Sequence, residues 1–184
     1  SKTKMAIENG VDLVIELPTI YAISSAENFA YGAVKILDSL EIVDYISFGS
    51  ECNDITVLDD VTDVLYKEPK EYKTLLSHEL SKGVSFPRAR ENALMMYLNN
   101  VRRFANVLSS PNNILGIEYL KALKKLQSPI ESFTIKREGT GYNDTKILEA
   151  SPFASASAIR NACIAQNISG LSNVLPESSF DILL

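Results

Sequence analysis

Apolar positions in this chain fall into short runs and helical repeats. Residues 12–17 (DLVIEL) form a mainly apolar run closed by Pro18, which reads as a buried strand. After Ser24 and Ser25 come Ala26, Phe29, Ala30, Ala33, Val34, Leu37 and Leu40, the spacing of one helix face. The two serines can cap that helix, and Glu27 suits the positive end of its dipole. Residues 45–48 (YISF) predict a second strand that runs into Gly49-Ser50-Glu51. Strand, helix and strand at this spacing form a βαβ unit, so the sheet is expected to be parallel.

From about residue 55 to 100 the pattern is helical. Val57, Val61, Val64 and Leu65 mark one helix. Leu75, Leu76 and Leu80 mark a second that stops at Gly83, and a third follows Pro87. Three helices exceed an ordinary crossover, so residues 55–105 are expected to be an inserted helical segment. Pro111-Asn112-Asn113 opens a further helix with Ile114, Ile117, Leu120, Leu123 and Leu126 apolar. Residues 132–136 (SFTIK) predict a third strand, residues 138–150 a loop, and residues 155–165 a short helix with Ile159 and Ala162 inward. The expected fold class is α/β, with residues 1–165 as one domain and 166–184 as the start of a C-terminal region. The first residues read as a helix ending at Gly10, and the chain opens on Ser1, which points to a fragment.

Composition narrows the chemistry. A single His among 184 residues excludes a two-His metal site and any HxGH signature within this chain. Two widely spaced cysteines, Cys52 and Cys163, fit a reducing cytoplasm better than a disulfide scaffold. No window approaches the roughly 18 uncharged apolar residues of a membrane span. The net charge of −5 argues against uniform nucleic-acid binding but allows a local basic patch, for which Lys2, Lys4, Lys121, Lys124, Lys125 and Arg102-Arg103 are candidates.

In a parallel α/β sheet, ligands bind at the carboxyl ends of strands. Gly49 stands at such an end, where the missing Cβ permits close backbone approach or simply a turn. At the Pro111-Asn112-Asn113 turn an Asn can cap the helix or offer its amide to a base or ribose; one Asn suffices for a cap, which leaves the second free. Lys136-Arg137 closes the third strand, and an Arg fork suits phosphate, although a solvated strand end reads the same way. Residues 154–160 (ASASAIR) put Ser155 and Ser157 at a helix start with Arg160 one turn in, either an ordinary cap or an anion site. His78 lies in a helix without a marked partner and is read as a surface or structural residue. No P-loop and no GxGxxG is present.

The segments KMA (4–6), DLVIELP (12–18), AENFAYGAV (26–34), SFGSE (47–51), SPNNILGIEYLKAL (110–123), TIKR (134–137) and ASASAIR (154–160) occur in an order that resembles the tRNA(Met) cytidine acetate ligase family. That family lies in the HxGH nucleotidyltransferase-like superfamily, so the resemblance implies a Rossmann-like parallel sheet. It also implies a reaction: ATP, with Mg2+, and acetate give acetyl-AMP, whose acetyl group passes to N4 of the wobble cytidine of elongator tRNA(Met). By position, Gly49, Asn112 and Arg137 match ATP contacts, while Ser155, Ser157 and Arg160 match the phosphate-binding helix start. ASASAIR departs from the superfamily's ISSTxIR pattern: Ala156 replaces a Ser and Ser157 a Thr. No segment matches the family's NPFHNGH-type stretch, whose His residues stabilise the transferring phosphate, so no catalytic residue is assigned and the chain alone is expected to be inactive. The alternatives are another adenylyltransferase, of pantetheine-phosphate or nicotinate-nucleotide type, and a non-catalytic RNA-binding module.

Overall fold

The structure is a computed structural model and describes residues 2–137, 153–165 and 170–183. In chain order its elements are α1 (Lys2–Glu8), α2 (Thr19–Ala22), α3 (Ala26–Ser39), β1 (Tyr45–Ser50), α4 (Ile55–Lys67), α5 (Lys70–Ser81), α6 (Phe86–Tyr97), α7 (Val101–Phe104), α8 (Pro111–Leu126), β2 (Glu131–Lys136), α9 (Ala156–Ile164) and α10 (Glu177–Leu183). Residues 17–137 form one compact unit, and the described residues before 17 and after 137 form a second. In the second unit α1 packs on α10, and the Asn9 side-chain amide donates to Ser179 Oγ at 2.9 Å.

The larger unit is built on two parallel strands, paired from Tyr45 with Glu131 to Ser50 with Lys136. Helices α4 to α8 make the crossover between them. Alternation along β1 turns Ile46, Phe48 and Ser50 inward, with Ile46 and Ser50 buried. The opposite face leaves Tyr45, Phe133 and Ile135 exposed. Helix α8 lies against β1 and is flanked by α3 and α4. The core runs through Val34, Ile46, Leu58, Val61, Ile117 and Leu120, each worth about 1.5–3 kcal/mol when fully buried. Helices α5 and α6 pack as a hairpin, with Tyr72 and Tyr97 edge to face at 6.2 Å. Gly83, at φ +76°, supplies the left-handed residue that ends α5.

The parallel α/β class and the helical segment before α8 agree with expectation, but one strand does not form. Residues 12–17 have no regular structure, and Val11, Leu13, Val14 and Ile15 stay exposed. An apolar run signals a wish for burial, but a strand also needs a ladder, and no described residue supplies one. The βαβ unit is therefore not the expected one: the parallel partner of β1 is β2. β1 is also longer than residues 45–48 and includes Gly49 and Ser50. In α9 the buried residue is Ala158, with Ile159 and Ala162 only half-buried, because the face that turns in is the one carrying the capping Ser155. The loop expected at 138–150 lies outside the described residues.

Candidate functional site

β1 and β2 end side by side, held by the Arg137 backbone N–H, which donates to the Ser50 carbonyl at 3.0 Å. Gly49 lies within β1, opposite Ile135, and is exposed. A Cβ there would find its nearest neighbour, the Ile135 carbonyl oxygen, at 3.9 Å. The fold itself therefore has room for a side chain at 49, and the glycine leaves the backbone open to an approaching group.

The turn after β1 is fixed at every step. Asn113 Oδ1 accepts from the backbone N–H groups of Glu51 (2.9 Å) and Cys52 (3.2 Å). Ser50 Oγ accepts from Asn53 N–H at 3.0 Å and lies 2.7 Å from Thr134 Oγ1. Asp54 caps α4 by accepting from the N–H groups of Thr56 and Val57. The Glu51 carboxylate is thereby aimed at the start of α8. Its Oε2 accepts from Asn113 N–H at 2.9 Å, and its Oε1 from Asn112 N–H at 3.2 Å and Asn112 Nδ2 at 2.8 Å. Burial opposes the Glu51 charge, but these bonds from Asn112 and Asn113 outweigh it and hold the carboxyl below its ordinary pKa.

This arrangement overturns the capping reading of the two asparagines. Neither Asn side chain caps: Ser110 occupies the cap position without a side-chain bond, and Glu51, 61 residues upstream of Asn112, satisfies the helix N–H groups. Asn112 is half-buried with its Nδ2 held, while Asn113 is buried with its Oδ1 held. Glu51 does not stand out in the sequence, because a carboxylate beside a turn has no periodic signature. The available signal was an acidic residue directly after a strand that points at a helix start without a capping side chain.

Gly49, Asn112 and Arg137 are thus gathered at one strand end. The Arg137 side chain is exposed and makes no ion pair with any other described residue. Ser155, Ser157 and Arg160 form a separate group on α9, in the other unit. Ser155 Oγ caps α9 by accepting from Ala158 N–H at 3.0 Å, and Arg160 Nη2 donates to Ser157 Oγ at 3.2 Å.

His78 is exposed on α5, as expected. The basic candidates on α8 and at Arg103 are largely neutralised. Lys124 bridges Asp59 and Asp63 at 2.8 Å, Lys121 meets Glu118 at 2.7 Å, Arg103 meets Asp60 at 3.2 Å, and Lys125 Nζ sits 4.9 Å from the Tyr31 ring centre. A cleft of about 700 Å³ is lined by Tyr21, Glu27, Tyr31, Tyr66 and the paired Glu118 and Lys121, and includes none of Gly49, Asn112 and Arg137. Among the described residues no three His, Cys, Asp or Glu side chains are grouped to hold a metal, and no helix is long and apolar enough to cross a membrane.

A strand-end turn that feeds a helix start is the nucleotide-binding geometry of open α/β sheets. The sequence profile of the HIGH nucleotidyl transferases matches residues 1–184. The chain belongs to the HIGH nucleotidyl transferase family. Among this family, it is 49% identical to the tRNA(Met) cytidine acetate ligase of Clostridium perfringens over all of this chain and 47% of the relative. It is also 49% identical to that of Caldanaerobacter subterraneus, over 99% of this chain and 45% of the relative. The chain therefore spans about half the length of the curated relatives it matches. Among solved structures, apo TmcAL from Thermotoga maritima superposes with a TM-score of 0.88 at 42% identity, over 97% of this chain and 42% of the other. TmcAL bound with alpha-thio ATP gives a TM-score of 0.84 at 41% identity, over 97% and 41%. These likenesses agree with the nucleotidyltransferase-like parallel fold expected from the sequence.

Proposed function

We propose that the protein is an ATP-dependent tRNA(Met) cytidine acetate ligase. The observation that carries this reading is the 49% identity to ligases of that name along the whole of this chain. Acetate oxygen attacks the α-phosphorus of ATP, pyrophosphate leaves, and acetyl-AMP forms. N4 of the wobble cytidine of elongator tRNA(Met) then attacks the acetyl carbon, releasing AMP. In this proposal Gly49 lets the nucleotide reach the backbone, Asn112 meets the nucleoside, and Arg137 meets phosphate. Ser155, Ser157 and Arg160 offer a helix start with hydroxyl and guanidinium donors to phosphate. Mg2+ would accompany the triphosphate and offset its charge. The two free thiols agree with a cytoplasmic setting.

The test is the product. Full-length protein given ATP, acetate and elongator tRNA(Met) is expected to yield acetyl-AMP and N4-acetylcytidine by mass spectrometry. A dinucleotide or dephospho-coenzyme product would move the assignment to another adenylyltransferase, and tRNA binding without ATP turnover would indicate a binding module. The 184 residues alone are expected to be inactive, because none of them matches the NPFHNGH-type segment that the resemblance implies. Acetate-dependent pyrophosphate release by these residues alone would overturn that expectation.

A further inference from the structure

We propose that the cleft lined by α2, α3, α4 and α8 is a second site, which takes one unpaired base of the tRNA anticodon loop other than the wobble cytidine. The inference rests on the tRNA-dependent reading above and adds a site to it. Tyr21 of α2, Tyr31 of α3 and Tyr66 of α4 line this one cleft of about 700 Å³, and all three belong to the unit of residues 17–137. Tyr21 is seated on α3: a Cβ on Gly32 would stand 2.3 Å from Tyr21 Cγ. Three rings from three helices offer the flat apolar faces on which unstacked bases pack.

Helix α8 adds a polar pair. The buried Glu118 accepts from Lys121 Nζ through its Oε2 at 2.7 Å, while its Oε1 is bonded to no other described residue. An acceptor therefore stands beside a donor in the cleft lining. Each base carries a donor next to an acceptor on its Watson–Crick edge, and an unpaired base has that edge free. A cation fits less well, because Lys121 already answers Glu118 and Lys125 already lies 4.9 Å from the centre of the Tyr31 ring. A phosphate group fits less well too, since Glu27, Glu68 and Glu118 outnumber Lys121 and Lys125 in the lining. In this proposal the phosphates beside the base meet Lys35 and Lys125, which flank the Tyr31 ring and have no carboxylate partner among the described residues. Helix α8 also links the cleft to the strand end. Glu118 and Lys121 follow Asn112 by six and nine residues, about 9 and 14 Å along the axis at 1.5 Å per residue.

Equilibrium binding of elongator tRNA(Met) to the full-length protein tests this, with each anticodon-loop nucleotide except the wobble cytidine replaced in turn by an abasic one. At one position the abasic tRNA is expected to bind about five- to a hundredfold more weakly, the scale of one base–aromatic stack. Tyr66, 44% exposed, can be truncated without opening the core. Tyr66→Ala is expected to weaken intact tRNA by a similar factor and to leave ATP affinity unchanged. In that variant the sensitive abasic position should cost no more than about twofold, because ring and base act as one pair. Tyr66→Phe keeps the ring and should bind intact tRNA within about twofold of wild type. A Tyr66→Ala variant that binds intact tRNA like wild type overturns the inference. So does one whose loss simply adds to that of every abasic position, one that loses ATP affinity instead, or a Phe variant as weak as the Ala variant. Should Tyr66→Ala fail to fold by thermal melting, Tyr66→Leu, which keeps apolar bulk without a ring, takes its place under the same criteria. A wild-type protein that binds no tRNA(Met) fails the proposed function itself, whereas tRNA acetylation with a cleft indifferent to these changes sinks this inference alone.

Discussion

A Cβ on Gly116 would stand 2.5 Å from Cε2 of Phe48, so the Phe48 ring of β1 rests directly on the backbone of α8. This contact sets the height of the helix above the strand and brings the α8 start to the turn that carries Glu51. The ring is also packed against Tyr119 at 5.6 Å, which limits how far it can swing away. Overpacking of this kind costs about 1–3 kcal/mol, against about 1 kcal/mol gained from Gly to Ala in a helix. Gly116→Ala is therefore expected to lose about 1 kcal/mol of stability in denaturant unfolding. In a Phe48→Ala background the same change should be neutral or stabilising. A stabilising Gly116→Ala in the wild-type background would show that the ring yields freely.

The Glu51 carboxyl gives the stability a pH signature. Burial acts against its charge, and the Asn112 and Asn113 bonds more than compensate, so the folded-state pKa lies below the ordinary 4.5. A depressed carboxyl contributes stability that is full above its unfolded pKa and is lost as pH falls through the folded one. The stability difference between wild type and Glu51→Gln should therefore hold constant near neutrality and shrink below about pH 4.5. A difference that stays constant into that acid range would show that Glu51 has the same pKa folded and unfolded.

The parts of this fold legible in the sequence are those written in local periodicity. The apolar faces of α3, α4 and α8 and the two strands at 45 and 131 follow from side-chain spacing, which the core uses directly. Residues 12–17 failed because an apolar run reports hydrophobicity and not hydrogen-bonding neighbours. At the candidate site, the residue types and their strand-end places could be read: Gly49, Asn112 and Arg137 do gather at one end of the parallel pair. What joins them could not. The bonds from Asn112 to the Glu51 carboxylate and from the Glu51 and Cys52 N–H groups to Asn113 Oδ1 cross more than 60 residues, and local pattern carries no information at that range.

Lys124 illustrates the same limit for charge. In sequence it belongs to a basic cluster, but in the fold it ties α8 to α4 through Asp59 and Asp63, each at 2.8 Å. All three side chains are partly exposed, so the bridge is worth up to about 1 kcal/mol. Lys124→Met is expected to lose about 0.5–1 kcal/mol at low ionic strength. The loss should fall at about 1 M salt, where the screening length is only about 3 Å. A loss that is independent of salt would assign the effect to packing of the lysine stem.

Arg137 offers the cleanest separation of binding from folding. Its structural bond, to the Ser50 carbonyl, is made by its backbone N–H and survives any side-chain change except proline. Its guanidinium is exposed and unpaired among the described residues, so truncation leaves no buried partner behind. Arg137→Ala in the full-length protein should therefore keep the wild-type melting temperature while weakening ATP binding by roughly 1.5–3 kcal/mol, the scale of a charge-assisted hydrogen bond. Arg137→Lys should recover only part of that loss, because an ammonium supplies the charge without the two-pronged fork. Isothermal titration with ATP reads both. An unchanged affinity in Arg137→Ala would remove this residue from the site, and equal affinity in the Lys variant would reduce its role to charge alone.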